Sequence, residues 1–409
     1  MIKLLIISPY APYDKVSHAG GQIHNFYLKK FNNDHNFDVR LITFAESIEV
    51  PKLDLQHYKV NCNLTVKSNK IIHRITRIPD RIMRTVNIFD RYGGIVSSFF
   101  RNNVIRILKK IKNEDYHPDV IILVWTPTAL LVNEVKRFYP NAKYVAFEHD
   151  VFFQNLKRKC LVESDPLKKK MKHKKYSNEL HTELNALKSV DQVITLNYKD
   201  KELLVAKGIN NQNIDVVAPY FHFMKDKFPT IRSTENDIVF YGAMSRPENY
   251  ESCIWFIENV FNKLVKKDPL LRFVIVGSHP NDSLLRYKSE KVIITGFVDH
   301  PEKYLLNSLC MVAPLFVGAG IKIKILEAMS AGIVVLTNKI GIEGIPASDG
   351  VHYLHCETDS EYIQAIVQLK KKKSIHQDIG DSAKKLIAEN YNVEESYKHY
   401  SELILKLMD

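Results

Sequence analysis

The chain has 409 residues, of which 45% are hydrophobic and 25% are charged, and its formal net charge is +12. This length predicts two to three domains, each large enough to bury a core of its own. No stretch approaches the ~20 apolar residues that cross a bilayer, so we expect a soluble globular protein rather than an integral membrane protein. The short apolar run at residues 4–7 predicts a first strand, not a secretory signal.

The positive charge is concentrated in two segments. Residues 62–112 carry twelve Lys and Arg against Asp80 and Asp90, a net charge of +10. Residues 157–175 carry nine against Glu163 and Asp165, a net charge of +7. Such an uneven distribution indicates an anionic partner for one half of the chain.

The cysteines are scattered and odd in number, and their spacing fits neither a zinc site nor a disulfide framework. This usage indicates a reducing, cytoplasmic compartment. The five are Cys62, Cys160, Cys253, Cys310 and Cys356.

Residues 1–217 alternate between short apolar runs and longer helical patterns, which is typical of a parallel α/β sheet. A loop at residues 8–21 is expected to precede a first helix at residues 22–31. Gly20 and Gly21 would end that loop at the carboxyl edge of the sheet, where doubly wound folds bind ligands. The predicted strands are residues 3–7, 39–44, 120–124, 144–147, 192–195 and 215–217.

His149 directly follows the strand predicted at residues 144–147, which places it over the same carboxyl edge. A histidine in this position either forms a structural hydrogen bond or contacts a ligand. The position and the expected partner Asp150 favour a functional role.

A long insertion separates the second and third predicted strands, at residues 45–118. Within it, an apolar stripe and an arginine stripe recur at helical spacing, although Pro79 would kink or split such a helix. A second basic run covers residues 168–175. This pattern favours binding to an anionic membrane surface through residues 71–112 and 157–175. The alternative is a core-packed helix with a solvated basic face. The stripes are Ile71, Ile75, Ile78, Ile82 and Val86, and Arg74, Arg77, Arg81 and Arg84.

A second α/β pattern follows residues 218–234, which contain two prolines and no clean period and predict a linker. Strands are expected at residues 237–241, 272–276, 292–295, 309–313 and 333–336. Helices are expected at residues 250–265, 357–373 and 378–407.

A glycine turn lies between the last two of these strands. Gly318 and Gly320 precede a predicted helix start that carries Lys322 and Lys324, and lysine is unfavourable there for the helix dipole. A bound phosphate would offset that cost, since helix N-termini and glycine turns bind phosphate. Glu327, one turn on, can accept hydrogen bonds from sugar hydroxyls. The alternative is an ordinary loop with solvated lysines.

Residues 318–332, G-A-G-I-K-I-K-I-L-E-A-M-S-A-G, resemble the donor-binding signature of retaining glycosyltransferases with the GT-B fold, in family 4. The family usually has two glutamates around this helix start. Glu327 matches the second, whereas Ala319 stands at the first, as in the subset of the family that reads G-A-G here.

The resemblance implies two doubly wound parallel-sheet, Rossmann-like domains facing a cleft. It implies an acceptor-side domain at residues 1–217, the linker at 218–234 and a donor domain at 235–390. A C-terminal helix at residues 391–409 would cross back to the first domain.

The resemblance also implies roles for individual residues. The donor diphosphate would be bound by Gly20, Gly21, Arg246, Gly318, Gly320, Lys322 and Lys324. The nucleoside would be bound by Phe297, Val298 and Glu327. The catalytic residues would be His149, Glu327 and Lys322.

The expected activity is transfer of a sugar from a nucleotide-diphosphate donor to a glycan or lipid-linked acceptor hydroxyl, with retention at the anomeric carbon. It would serve bacterial surface polysaccharide or glycolipid synthesis, in the cytoplasm or on the inner face of the plasma membrane. The sequence contains no Asp-x-Asp pair, so neither a metal nor another cofactor is expected.

Two alternatives stay open. A nucleotide-sugar epimerase with the GT-B fold would share the domains and the phosphate site. A non-enzymatic nucleic-acid-binding protein would use the basic segments, but Tyr92, Phe99 and Phe100 offer little base stacking there and nucleic acid is the less favoured partner.

Overall fold

The computed structural model describes residues 1–14, 16, 18–53, 60–67, 92, 95–221 and 236–409. The chain divides into two compact units. Unit 1 contains Met1–Tyr220 and Val393–Asp409, and unit 2 contains Phe221–Asn392. Most of the predicted linker and the stripes at residues 71–86 lie outside the described residues.

Unit 1 is built on a parallel sheet, as the alternating apolar pattern predicts. In its described part the strand order is β3-β2-β1-β4-β5-β6-β7, so the order reverses between β1 and β4. The strands are β1 (Ile2–Ile7), β2 (Phe37–Glu46), β3 (Asn61–Lys67), β4 (Val120–Val124), β5 (Lys143–Glu148), β6 (Gln192–Thr195) and β7 (Ile214–Val216).

Helices pack on this sheet, and their apolar residues form a core with strand residues of one face, including Leu5, Phe44 and Ile121. Short 3₁₀ turns occur at Val50–Lys52 and Asn211–Asn213. The helices are α1 (Ala19–Asn33), α2 (Ser98–Asn113), α3 (Thr126–Ala129), α4 (Val132–Val135), α5 (Phe152–Leu161), α6 (Pro166–Leu187) and α7 (Tyr198–Ala206).

Unit 2 is built on a second parallel sheet, with the described strand order β10-β9-β8-β11-β12-β13. Here the order reverses between β8 and β11. The strands are β8 (Asp237–Tyr241), β9 (Arg272–Val276), β10 (Val292–Gly296), β11 (Cys310–Ala313), β12 (Val335–Thr337) and β13 (Leu354–His355).

Most helices of unit 2 alternate with its strands, and a π-helical turn at Ile257–Phe261 separates the first two of them. The helices are α8 (Pro247–Phe256), α9 (Asn262–Lys267), α10 (Asp282–Leu285), α11 (Glu302–Leu306), α12 (Ile323–Ser330), α13 (Asp359–Lys371) and α14 (Lys373–Asn390).

The last helix, α15 (Val393–Lys406), belongs to unit 1 and packs on α1. The rings of Phe31 and Tyr400 meet edge to face with centres 4.9 Å apart. Tyr397 donates a hydrogen bond from its hydroxyl to Asp34 at 2.7 Å. The amphipathic pattern at the C-terminus therefore reflects burial against α1.

The predicted architecture of two doubly wound parallel sheets is confirmed, but several expected bounds of helices and strands are wrong. Gly20 and Gly21 lie inside α1 rather than in a loop, because His18 caps the helix by accepting from the Gly21 N–H. The insertion at residues 45–118 contains the edge strand β3, whose polar residues hid its strand character. The C-terminal helical pattern is broken at Lys372 and at Tyr391, which leave helical geometry.

None of the described helices combines the length and the apolar content that a bilayer crossing requires.

Candidate functional site

Two loops of unit 2 flank the point where its strand order reverses. The loop at residues 242–246 follows β8, and the loop at residues 314–322 follows β11. Open parallel sheets bind ligands at their carboxyl edge where the order reverses. The glycine turn predicted from sequence therefore lies at the most favourable binding position of this unit.

Hydrogen bonds through one asparagine join the loop at residues 242–246 to helix α12, which follows the glycine turn. Lys324 of α12 donates from Nζ to Asn249 Oδ1 at 2.7 Å, and Asn249 of α8 donates from Nδ2 to the Ala243 carbonyl at 2.9 Å. The ammonium also lies 4.3 Å from the centre of the Phe240 ring. Burial lowers the pKa of Lys324 to about 7. A bound anion would favour the charged form of this ammonium.

The turn before α12 has a backbone that suits glycine. Gly318 and Gly320 have φ angles of 119° and 66°, in the left-handed region that other residues rarely adopt. Lys322 folds back on this turn, donates to the Gly320 carbonyl, and lies 3.6 Å from Glu343 Oε2. The two side chains are 11% and 6% exposed. Lys322 is therefore fixed beside the turn rather than solvated.

Glu327 follows one turn later on α12 and is buried. Burial raises the pKa of its carboxyl to about 8, so the group is protonated at neutral pH. A protonated carboxyl both donates and accepts hydrogen bonds. Glu327 therefore suits the recognition of hydroxyl groups, which also donate and accept.

The other predicted residues of unit 2 lie along the same sheet edge. Arg246 occupies the N-cap position of α8 without a capping hydrogen bond from its side chain, and its exposed guanidinium pairs with Glu248. Phe297 and Val298 directly follow β10, and Phe297 is 74% exposed. Because β10 and β11 are three strand spacings apart, these two residues lie roughly 14 Å from the glycine turn along the edge of the sheet.

A second cluster forms in unit 1, also where the strand order reverses. His149 follows β5 and stacks on Trp125, which follows β4, with ring centres 4.2 Å apart and planes at 15°. A Cβ on Gly20 would lie 3.1 Å from the Trp125 ring and 3.3 Å from His149 Nδ1. Glycine at position 20 therefore allows α1 to approach the stacked rings. Trp125 itself has a φ of 70°, a strained conformation that favours a functional role.

The imidazole of His149 is buried, and neither ring nitrogen has a hydrogen-bond partner among the described residues. Burial lowers the pKa of His149, and His24 and His18 add to the effect. The ring is neutral at neutral pH, with one nitrogen able to donate and one able to accept. Buried polar atoms without partners are rare, so the ring is available to a ligand.

A buried carboxyl lies beside this histidine in sequence. Thr126 donates from Oγ1 to Glu148 Oε2 at 2.7 Å. Burial raises the pKa of Glu148 to about 8, and the charge of Asp150 contributes. Glu148 is therefore protonated at neutral pH and adds no negative charge to the cluster.

Three residues of these two sites were missed from sequence: Trp125, Asn249 and Glu343. Trp125 could have been found by the rule that selected His149, since it also directly follows a strand. Asn249 and Glu343 carry no local signal, because their partners Lys324 and Lys322 are distant in the chain.

Among the residues that the structure describes, no three His, Cys, Asp or Glu side chains are grouped to hold a metal ion. All five cysteines are free thiols.

Residues 235–372 match the family described as glycosyl transferases group 1. This segment covers most of unit 2, including β8, β11 and the glycine turn. The match lies within unit 2 and supports the predicted enzyme class, a glycosyltransferase.

A curated relative from Klebsiella pneumoniae, an uncharacterized 44.6 kDa protein in the cps region, is 27% identical over 203 residues. The match covers 47% of this chain, and it spans 50% of the relative's length.

Solved structures share the fold over nearly the whole chain. Sucrose-phosphate synthase from Thermosynechococcus elongatus is similar with a TM-score of 0.70 and 12% identity, covering 100% of this chain and 99% of its own. Anabaena HepE in complex with UDP-glucose is similar with a TM-score of 0.67 and 12% identity, covering 99% and 100%. These similarities confirm the predicted GT-B fold.

Proposed function

We propose that the protein is a metal-independent retaining glycosyltransferase of family 4, in its G-A-G subset. It transfers a sugar from a nucleotide-diphosphate donor to an acceptor hydroxyl. The observation that carries this proposal is the Asn249–Lys324 hydrogen bond, which joins the two helices that begin at the strand-order reversal, within the segment that matches glycosyl transferases group 1. The UDP-glucose bound to Anabaena HepE supports a nucleotide-sugar as donor.

The donor lies along the carboxyl edge of unit 2. Lys322, Lys324 and the glycine turn bind the diphosphate, and Arg246 adds positive charge. The nucleoside extends towards Phe297 and Val298, and Glu327 binds donor hydroxyls. Fixed positive charge at the diphosphate stabilises the leaving group without a metal ion.

The transfer needs no covalent intermediate on the protein. The acceptor oxygen bonds to the anomeric carbon on the face from which the diphosphate departs, as the bond from that carbon to the phosphate oxygen breaks. The acceptor proton passes to the departing phosphate oxygen. The products are a glycoside and a nucleoside diphosphate. The neutral ring of His149, in unit 1, serves to bind a sugar hydroxyl.

The acceptor is a glycan or a lipid-linked glycan in the synthesis of bacterial surface polysaccharide or glycolipid. The relative in a Klebsiella pneumoniae cps region supports this setting. The enzyme acts in the cytoplasm, peripherally at the inner face of the plasma membrane. The basic segments at residues 71–112 and 157–175 serve to contact the membrane, and residues 71–91, 93 and 94 of the first segment lie outside the described residues.

A panel of nucleotide-sugars should identify one donor that binds to the protein and is slowly hydrolysed without an acceptor. Calorimetry measures binding, and chromatography of the released nucleoside diphosphate measures hydrolysis. Both should be unchanged by EDTA. Loss of turnover with EDTA and its recovery with Mg²⁺ would contradict metal independence. Conversion of the free donor to its epimer would identify the epimerase alternative instead.

Donor binding should weaken as the pH rises above 7, because Lys324 attracts the diphosphate only while its ammonium group is charged. The pKa of Lys324 is about 7 in the free protein, and a bound diphosphate raises it. We therefore expect the affinity for the nucleoside diphosphate to fall by up to about tenfold per pH unit above 7, until the pKa of the bound state is reached. Calorimetry over a range of about pH 6 to about pH 9 measures how the affinity depends on pH.

The Lys324→Met variant should bind the nucleoside diphosphate more weakly. Its affinity should also lose the pH dependence that Lys324 causes. Lys288→Met, at an exposed position of the same unit, is the matched control and should keep both affinity and slope. A Lys324→Met profile parallel to that of the wild type would assign the slope to another group.

A further inference from the structure

The turn between α5 and α6 exposes four large apolar side chains. Leu161 and Val162, at the end of α5, are 66% and 57% exposed. Leu167 and Met171, at the start of α6, are 77% and 73% exposed. Single exposed apolar residues are ordinary, but four within one short turn form a patch that favours a partner. We call these four residues the α5–α6 patch.

Lysines surround the patch on α6. Leu167 and Met171 are one turn apart and share a face of the helix. At 3.6 residues per turn, Lys170 and Lys174 flank this face on one side and Lys168 and Lys175 on the other. Seven lysines of the segment are exposed: Lys157, Lys159, Lys168, Lys169, Lys170, Lys174 and Lys175. The apolar face is therefore bordered by positive charge along its length.

The two acidic residues of residues 157–175, Glu163 and Asp165, stabilise the turn between α5 and α6. Asp165 caps α6 by accepting from the N–H groups of Leu167 and Lys168, both at 2.9 Å. Glu163 pairs with Lys172 at 2.5 Å and accepts from the Asp165 N–H at 3.2 Å. Glu163 thus pairs with Lys172, which lies outside this border, and residues 157–175 keep a net charge of +7.

We propose that the α5–α6 patch docks this protein on an anionic lipid bilayer. The four apolar side chains enter the interface between headgroups and acyl chains, and the bordering lysines contact the lipid phosphates. Aliphatic side chains suit this interface, whereas a nucleic acid would call for aromatic side chains on which bases stack. The inference deepens the proposed membrane location. It does not depend on sugar transfer, because docking needs neither donor nor acceptor.

Vesicle co-sedimentation of the full chain tests the proposal. Phosphatidylcholine vesicles containing phosphatidylglycerol should bind the protein, and pure phosphatidylcholine vesicles should bind it far more weakly. A lysine near an anionic surface contributes about fivefold in affinity. The variant Lys168→Gln/Lys170→Gln/Lys175→Gln should therefore bind the anionic vesicles about 100-fold more weakly.

The matched control carries the same change of charge on exposed lysines of unit 2. It is Lys266→Gln/Lys267→Gln/Lys288→Gln, and its vesicle affinity should stay within about twofold of the wild type. Equal losses in the two triple variants would overturn the proposal, because binding would then follow net charge rather than the patch.

The variant Leu167→Ser/Met171→Ser tests the contribution of the apolar side chains to docking. Since both side chains leave water on docking, this variant should lose at least about tenfold in affinity for anionic vesicles. An affinity equal to that of the wild type would contradict the insertion of these side chains into the bilayer. Equal binding to neutral and anionic vesicles, or binding to random DNA but not to vesicles, would overturn the proposal as a whole. Donor binding measured without vesicles reports separately on the proposed function.

Discussion

Replacing Lys322 by methionine should lower kcat/KM for the nucleotide-sugar donor by about 100- to 1000-fold. Removing one fixed group that stabilises developing charge typically has an effect of this size. Lys322 is fixed beside the glycine turn by Gly320 and Glu343, so its charge needs little reorganisation when the diphosphate departs. Steady-state release of the nucleoside diphosphate measures the loss.

Loss of fold must be separated from loss of charge at this position. Lys322→Met alone leaves the buried Glu343 without its lysine. Breaking a buried ion pair in this way destabilises a protein by about 3–5 kcal/mol. The double variant Lys322→Met/Glu343→Gln removes both charges and should recover most of the unfolding free energy without recovering activity. Lys339→Met, an exposed control in the same unit, should change kcat/KM by less than about twofold. A stable double variant with wild-type kcat/KM would contradict the assignment of Lys322.

The second large effect is expected at Glu327, where alanine should lower kcat/KM about 100-fold. The carboxyl is buried and protonated at neutral pH, so it binds a donor hydroxyl as a neutral group. Glutamine keeps this shape and neutrality, and we therefore expect Glu327→Gln to stay within about tenfold of the wild type. A Glu327→Gln variant as inactive as Glu327→Ala would indicate that the ionised carboxylate is required instead.

Stability at different pH values checks the protonation state of Glu327 independently of activity. Its carboxyl has a pKa of about 8 in the folded protein and an ordinary value of 4.5 when the chain unfolds. Between these values the folded state holds a proton that the unfolded state releases, so the free energy of unfolding falls as the pH rises from 4.5 to about 8. Denaturant unfolding should show a shallower fall for Glu327→Gln than for the wild type. Parallel curves would show that the carboxyl is ionised in the folded protein.

The local patterns of the sequence predicted the architecture and one half of the candidate site in unit 2. Strands buried on both faces appear as short apolar runs, which is why β4, β6, β8 and β9 were predicted with their observed bounds. The glycine turn and Glu327 lie within a few residues of one another, so their proximity is encoded locally. The edge strand β3 was missed because its residues Asn61, Cys62 and Asn63 carry no apolar alternation.

The contacts that complete each cluster arise only from the tertiary structure. Asn249 reaches Lys324 because β8 and β11 are neighbours in the sheet, although 75 residues separate the two side chains. Trp125 and His149 stack because β4 and β5 are paired, and Gly20 allows α1 to approach them.

Burial was likewise decided by the fold. The sequence alone determined that lysines follow a glycine turn and that a basic segment lies at residues 157–175. The tertiary structure decided that Lys322 is buried against Glu343, whereas Leu167 and Met171 are exposed. The physical reason is that periodicity specifies which face of an element is apolar, but only the packing of the other elements decides whether water reaches that face.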